Sequence, residues 1–294
     1  MLVALAGAGF ASGAYVYLHE EGSSRAAEPP PPAAPVPNAD VLWYADQETG
    51  DLSQWTLDDR GGQKDTGTGT TRITSDRVHL GRYSLALTIT NVREKQATRN
   101  FRWGISEGTS LPVEGYYSAW YFFPRVWRPK VYWNVFQWKT KVDADTNDPT
   151  FVLNVGARRG RMYLYLYDAV RARPAGDAKI DLPTGRWVHI EAFYRFATDN
   201  SGRVTFWQDG QQILDVQGVQ TQFPSSDQNA RQWSVDSYSN GLSPDDATIY
   251  VDDAAISLTR LGPGARVGSG AVSLEGPGAP RRVLRGSDAP GSRP

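Results

Sequence analysis

The stretch RMYLYLY at residues 161–167 decides the fold. A β-strand turns successive side chains to opposite faces of its sheet, so residues two apart share a face. The alternation predicts a strand that buries one row of apolar side chains, namely Met162, Leu164 and Leu166. The other row consists of Tyr163, Tyr165 and Tyr167, which the same rule places on the outer face. The sequence therefore predicts a sheet with an apolar inner face and a tyrosine-lined outer face.

The same period of two runs through most of residues 40–260, and no stretch there shows a convincing helical repeat. No internal repeat of about 20 to 50 residues is visible, which argues against a propeller. The pattern predicts more strands than an immunoglobulin domain has and favours an all-β, two-sheet antiparallel jelly-roll sandwich. The predicted strands are residues 83–90, 115–123, 132–141, 150–155, 161–167, 186–196, 203–207, 232–238 and 248–257.

Composition excludes several classes of chemistry. With 31 Lys and Arg against 32 Asp and Glu, the formal net charge is −1, so no global field attracts nucleic acid, and none is predicted as a partner. The chain has no Cys and 3 His, which rules out a disulfide scaffold, a thiolate nucleophile and a Cys-ligated zinc site. Aromatic residues make up 12% of the chain, which suits both a sandwich core and a sugar-binding groove.

The ends of the chain differ in composition from its middle. Residues 1–18 carry no charge and many small apolar side chains, which predicts a signal peptide or a membrane anchor. A Pro-rich linker is predicted at residues 19–39, and a disordered tail rich in Gly, Pro and Arg at residues 261–294. We therefore expect an extracellular domain at residues 40–260, secreted or anchored at the cell surface, that meets a membrane only through the N-terminal segment.

Two strands present candidate binding groups on their outer faces. In VFQWKTK, residues 135–141, alternation places Phe136 and Trp138 in the core and leaves Gln137, Lys139 and Lys141 outside. An amide beside cations is able to bind a sugar carboxylate or sulfate, although lysines on an exposed strand also serve solubility. The tyrosine row suits pyranose rings, with aromatic packing under a loop as the alternative.

The strand RWVHIEAFYRF at residues 186–196 carries a further set of titratable groups. Its core row is Val188, Ile190, Ala192 and Tyr194. The outer row holds His189, Glu191 and Arg195, which together form either an acid, a base and an anion clamp or a self-paired ladder of charges. In QWSVDSY, residues 232–238, Trp233 and Val235 face inwards, and the outward Tyr238 is a candidate proton donor or acceptor.

The acidic residues argue against simple glycoside hydrolysis. Hydrolases need two carboxylates that flank the scissile bond, and Glu191 has no acidic residue two or four positions away. β-Elimination from a uronic acid polymer instead needs a cation or amide at the carboxylate, together with a base and an acid of the His, Lys, Arg or Tyr type. The outer-face residues supply that set.

The chain also resembles a known family. Five runs occur in the order found in heparin lyase I-like polysaccharide lyases, which they resemble: YYSAWYFFP (116–124), NVFQWKTK (134–141), GRWVHIEAFYRFATDNSGRVTFWQDGQQIL (185–214), WSVDSYSNG (233–241) and IYVDDAAIS (249–257). Alginate and glucuronan lyases, which share a concanavalin A-like jelly roll, belong to the same set of relatives. The likeness spans roughly residues 45 to 258 and implies both a jelly-roll fold and lyase activity.

The resemblance also assigns roles to particular residues. Gln137 and Lys139 match the family's Gln-x-His strand, with Lys in place of the expected His base, and Tyr238 matches the tyrosine proton carrier. Arg99 and Arg102 lie near an Arg-rich strand of the alginate lyases. The resemblance further implies a structural Ca²⁺ between the chain ends, held by Asp46, Glu48, Asp252 and Asp253.

We therefore predict a lyase that cleaves an acidic, uronate-containing polysaccharide by β-elimination. Gln137 and an Arg would neutralise the uronate, and Tyr238 or Lys139 would move the proton. Two alternatives remain open at this point: a carbohydrate-binding domain without catalysis, and a glycoside hydrolase that uses Glu191 with a distant Asp.

Overall fold

A computed structural model describes residues 40–56, 61–103, 111–143, 146–224 and 231–268. The predicted signal or anchor at 1–18, the predicted linker at 19–39 and most of the predicted tail lie outside the described residues. Within these ranges no helix has the length and apolar character needed to cross a membrane.

Nearly all regular structure is β. In chain order the strands are β1 (Val41–Ala45), β2 (Gly61–Thr66), β3 (Thr70–Thr74), β4 (Ser84–Ile89), β5 (Gln96–Arg102), β6 (Glu114–Phe122), β7 (Arg128–Pro129), β8 (Trp133–Lys141), β9 (Asn147–Arg158), β10 (Arg161–Asp168), β11 (Arg173–Asp177), β12 (Trp187–Arg195), β13 (Gly202–Gln208), β14 (Gln211–Val219), β15 (Gln232–Ser239), β16 (Leu242–Ser243) and β17 (Ala247–Ser257). One short helix, α1 (Ser53–Thr56), follows β1.

The strands form two large antiparallel sheets, as predicted for a jelly-roll sandwich. An eight-stranded sheet has the order β14-β13-β12-β6-β17-β4-β3, with β1 also paired to β17. A seven-stranded sheet has the order β11-β10-β9-β8-β15-β5-β2. Strands β7 and β16 form a separate pair. The all-β prediction is confirmed.

The core lies between the two sheets and is rich in aromatic side chains. Trp138 of β8 stacks on Tyr194 of β12 with ring centroids 4.1 Å apart, and this contact joins the two sheets. Each predicted inward row is fully buried, as Leu164, Ile190 and Val235 illustrate. The inward faces of the predicted strands are therefore confirmed.

The strands that sequence patterning missed are mostly short or polar. β2 reads GGQKDT and β14 reads QQILDVQGV, and each forms or adjoins an edge of its sheet. Edge strands are exposed on more sides than central ones, so they lack the apolar alternation that signals a strand. Their pairing is set by tertiary contacts and by turns such as Asp209-Gly210, where both residues have positive φ.

Candidate active site

The outer face of the seven-stranded sheet, called here the site face, carries most of the predicted functional residues. One row of paired residues crosses it, from Tyr238 of β15 through Asn134 and Asn154 to Tyr165 of β10. These side chains, together with Tyr132 and Tyr167, line a depression of about 430 Å³. The structure thus brings the C-terminal tyrosine and the tyrosine row to one cavity.

A buried carboxylate organises the charged part of the site face. Asp236 of β15 is fully buried and lies opposite Arg99 of β5. The Arg99 Nε lies 3.3 Å from Asp236 Oδ1, and Gln137 Nε2 donates a hydrogen bond of 2.5 Å to Asp236 Oδ2. Burial raises the pKa of the Asp236 carboxyl, while the Arg99 charge opposes that rise. Asp236 therefore holds the guanidinium and the amide together.

Lys139 lies near Asp236 and Arg99, and its pKa is lowered. Its side chain is half-buried at the outer end of β8, in the electrostatic range of Arg99 and Asp236. Burial, and next the positive charge of Arg99, lower the pKa of Lys139 to about 8. A larger fraction of Lys139 is consequently neutral near pH 7 to 8 than for an ordinary lysine, and a neutral amine is able to accept a proton.

Tyr238 contacts Tyr132 through its hydroxyl group and Arg99 through its ring. Tyr132 donates a hydrogen bond of 3.0 Å to the Tyr238 hydroxyl oxygen, and the two rings meet edge to face. Burial and the bond to Tyr238 raise the pKa of Tyr132 above its usual range. The Arg99 guanidinium carbon lies 5.7 Å from the Tyr238 ring centroid. Because the Tyr238 oxygen is an acceptor here, its own proton remains available for transfer.

The predicted tyrosine row lies on the site face. Tyr163, Tyr165 and Tyr167 are partly exposed and alternate with buried neighbours. The rings of Tyr163 and Tyr165 are 6.2 Å apart, and burial raises the pKa of Tyr165 to about 12, with the charge on Tyr163 adding to the effect. The Tyr165 hydroxyl therefore stays protonated and remains a hydrogen-bond donor at neutral pH.

Lys141 of β8 and Arg102 of β5, which were also predicted as site residues, point in different directions. Lys141 is partly exposed at the end of β8, on the same face as Lys139. Arg102 points inwards, where its Nη1 donates to the Trp55 carbonyl at 3.2 Å and its guanidinium lies over Trp43. Arg99, and not Arg102, is the arginine of β5 that the site face presents.

His189, Glu191 and Arg195 are not part of this face, because β12 belongs to the eight-stranded sheet. The expectation that they form an exposed set is wrong for the first two. His189 is buried beside Trp120, and burial lowers its pKa to about 3. Arg195 forms an ion pair with Glu114 at 2.5 Å. The self-paired ladder is not formed, because Arg195 pairs with Glu114 of β6 and Glu191 pairs with Arg260. The structure does not place any of the three near Gln137 or Lys139.

Glu191 is a structural residue in this geometry. Its carboxylate is fully buried and accepts hydrogen bonds from the backbone N–H groups of Leu261 and Gly262 at 2.7 and 3.1 Å. Arg260 Nε donates to its other oxygen at 3.0 Å. The ordered chain therefore continues beyond the predicted domain end at residue 260, and residues 261–262 belong to the folded domain.

Two of the four predicted calcium ligands lie on β17, in the interior of the eight-stranded sheet, and the other two follow its partner β1. Each of the four already has protein partners. Asp252 accepts the His79 N–H at 3.0 Å, and His79 Nδ1 lies 2.6 Å from Asp253 Oδ2. Glu48 accepts two backbone N–H groups, and Asp46 accepts the Gln54 amide at 2.8 Å. Among the described residues, no three His, Asp or Glu side chains are arranged as ligands of one metal ion.

Sequence reasoning missed several members of the site. Tyr132, Asn134 and Asn154 line the depression, and Asp236 connects Arg99 with Gln137. Alternation does place Asp236 outwards beside Tyr238, but its partners lie on β5 and β8. Only the pairing of strands distant in sequence shows that these groups meet. The resulting face offers an amide, a guanidinium, an amine of lowered pKa and tyrosine hydroxyls.

The sequence matches a known protein family. A family model described as polysaccharide lyase matches residues 47–255. No curated protein sequence matches the chain.

Solved structures with the same fold were also found. An endo-β-1,4-glucuronan lyase from the fungus Trichoderma reesei is 17% identical with a TM-score of 0.58, over 76% of this chain and 97% of that one. An alginate lyase of family PL-14 from Aplysia kurodai is 11% identical with a TM-score of 0.52, over 74% of this chain and 99% of that one. A cellulose-induced protein, Cip1, is 16% identical with a TM-score of 0.51, over 75% and 99%. At these identities the likeness shows the jelly-roll fold.

The buried position of Glu191 yields a test of its role. We expect Glu191→Gln to lower the free energy of unfolding by about 1–3 kcal/mol, because an amide N–H₂ would face donors in place of a carboxylate oxygen. Denaturant unfolding followed by tryptophan fluorescence measures the change, with the exposed Glu94→Gln as the matched control. A variant of unchanged stability that loses carbohydrate cleavage would instead favour a hydrolase that uses Glu191.

Proposed function

Because the chain belongs to the polysaccharide lyase family, we propose that it cleaves an acidic, uronate-containing polysaccharide by β-elimination on the site face. The observation that carries this proposal is the group around Asp236. An amide and a guanidinium are fixed beside an amine whose pKa is lowered, and a tyrosine hydroxyl stands nearby. This is the set of groups that abstraction of a proton next to a carboxylate requires.

The first part of the proposed reaction is neutralisation of the uronate carboxylate. Arg99 supplies a positive charge, and the Gln137 amide, which is almost fully buried, donates one N–H to Asp236 and would offer the other to the substrate. Both groups are preorganised by a buried carboxylate, so little reorganisation accompanies the development of negative charge on the substrate. Their effect is to make the C5–H of the uronate more acidic.

Proton transfer follows from the two remaining groups. Neutral Lys139 removes the C5 proton, a C4–C5 double bond forms, and the C4–O bond to the leaving sugar breaks. The Tyr238 hydroxyl then donates its proton to that oxygen, and Tyr132 stabilises the resulting phenolate through the hydrogen bond it donates. Lys139 ends protonated and Tyr238 deprotonated, so a transfer between them, direct or through solvent, restores the starting state.

We also propose that the domain acts outside the cytoplasm. The uncharged apolar residues 1–18 and the Pro-rich residues that follow support export or surface anchoring. A polymeric substrate too large to enter a cell is consistent with that location. Binding of the polymer is proposed through the site face alone, with the tyrosine row holding sugar rings on either side of the reacting unit.

Loss of single groups on the site face tests the lyase proposal. We expect the full chain to release products that absorb in the ultraviolet from one polymer of a panel of alginate, glucuronan, heparin, chondroitin and hyaluronan. Tyr238→Phe and Lys139→Ala should each lower kcat by at least about 100-fold, since each removes a proton-transfer group. The exposed Lys95→Ala serves as control.

The outcomes of that panel separate the alternatives. Retardation of one polymer in an affinity gel without any product would favour a binding domain. Reducing ends without ultraviolet absorbance would favour a hydrolase.

The acidity of Lys139 predicts a pH profile. A base of pKa about 8 is increasingly protonated below that pH, so kcat/KM should fall about tenfold per pH unit below about 8 and level off above it. Initial rates between about pH 6 and 9 measure this profile on the cleaved polymer. A profile that is flat across the range would contradict Lys139 as the base, whereas the Lys95→Ala control should follow the profile of the unaltered protein.

Calcium binding by Asp46, Glu48, Asp252 and Asp253 is a separate proposal. The side chains as they stand do not form a ligand set, but Asp46 and Glu48 are close enough to raise the pKa of Asp253, after the larger effect of burial. A hard dication would relieve this repulsion. We expect millimolar Ca²⁺ to raise Tm by about 5 °C in the unaltered protein and not in Asp253→Asn. An unchanged Tm with Ca²⁺ and with a chelator would exclude a structural ion.

A further inference from the structure

The β9–β10 hairpin carries an unusual concentration of arginines. Its sequence at residues 158–161 is Arg-Arg-Gly-Arg, and Arg158 and Arg161 are directly paired across the two strands. Together with Arg159 and Lys179 they line a depression of about 680 Å³, in which Asp181 is the acidic member. We call these four cationic residues the basic corner.

The basic corner opens onto the site face. Arg161 lies two residues before Tyr163 on β10, so alternation turns its side chain to the same face, and its partner Arg158 shares that direction. The Arg158 guanidinium lies 4.3 Å from the Tyr163 ring centroid and donates to the Ala178 carbonyl at 3.0 Å. A fixed guanidinium therefore continues the row of tyrosines.

The contacts form an unbroken path from the proposed reaction centre. Tyr238 and Tyr165 line one depression, the Tyr165 ring lies 6.2 Å from Tyr163, and Tyr163 lies under Arg158. By the spacing of strands and the rise per residue, the basic corner is roughly 20 Å from Tyr238. That distance corresponds to several sugar units, so the corner lies beyond the unit that reacts.

Two features of the β9–β10 hairpin are locally unfavourable, namely a positive φ at an arginine and a pair of like charges. Arg159 has φ of +49° and Gly160 has φ of +77°, as in a two-residue turn that favours Asn-Gly. A long side chain is disfavoured at positive φ, and like charges directly opposite each other on paired strands repel. Asp181 pairs with Arg161 at 2.6 Å and offsets one charge of the corner. An unfavourable turn residue and a like-charge pair are features that anion binding would compensate.

We infer that the basic corner is a remote subsite that binds a carboxylate or sulfate of the polysaccharide several units away from the cleaved bond. This inference rests on the proposed function of the site face. The occupant is the distal part of the same acidic chain that crosses the tyrosine row. Such a subsite strengthens binding of long chains and leaves the chemical step unchanged, because it makes no contact with the reacting unit.

A conservative variant separates this role from folding. Arg159→Asn removes one charge and places a residue better suited to positive φ, so its unfolding midpoint should be equal or higher. Its KM for the polymer should nevertheless rise about threefold. The double variant Arg159→Asn, Arg161→Gln should raise KM about tenfold with kcat unchanged, and its KM for a trisaccharide should not change. The difference should shrink in high salt.

The matched control removes two charges from the other sheet. Arg72 on β3 and Arg203 on β13 are each paired with an aspartate there, so Arg72→Gln, Arg203→Gln gives the same change in net charge away from the site face. Affinity electrophoresis of the full chain in alginate and in neutral dextran measures binding independently of cleavage.

The outcomes distinguish failure of the remote subsite from failure of the proposed function. If the unaltered protein cleaves a polymer and the hairpin variant matches the control, the remote subsite is wrong and the lyase proposal stands. A shift in KM shared equally by polymer and trisaccharide would also overturn it. If the unaltered protein neither binds nor cleaves any acidic polymer, the proposed function fails, and the subsite fails with it.

Discussion

The contact between Trp138 and Tyr194 joins the two sheets, and the chemistry of the site face depends on it. Because Trp138 is held in the core, its neighbours Gln137 and Lys139 must point away from the core. A slip of one residue in β8 would bury the lysine and expose the indole, at a cost that includes both desolvation of a cation and loss of aromatic packing. The core therefore determines which side chains of β8 belong to the site face, where Lys139 is partly exposed and Gln137 is covered by its neighbours.

A second constraint acts within the site face. A fully buried carboxylate is costly unless charged or hydrogen-bonding groups surround it, and Asp236 has Arg99 on one side and Gln137 on the other. Burial and, next, the same positive charge that supports Asp236 lower the pKa of Lys139, while the charge of Asp236 itself opposes them. One buried acid thus orients the groups that would hold a uronate.

Sequence patterning predicted the inner and outer faces of the strands because the alternation in stretches such as 161–167 has a period of two and needs no long-range information. It erred on His189 and Glu191 for a physical reason. Alternation separates core from exterior but does not tell which of two sheets a strand joins or what covers its outer side. Glu191 is covered by residues 260–262, about 70 positions away in the chain, as the separations of its hydrogen bonds show. The polar strand β2 carried no period at all.

The pairing of β1 with β17 has a consequence for how the molecule can be held. The Leu258 N–H donates to the Asp40 carbonyl at 2.8 Å, so the first and last strands of the described chain lie side by side in the eight-stranded sheet. The site face belongs to the other sheet. A support or fusion partner attached next to β1 or β17 would therefore lie on the side of the eight-stranded sheet. The tyrosine row on the seven-stranded sheet would remain accessible to a polymer.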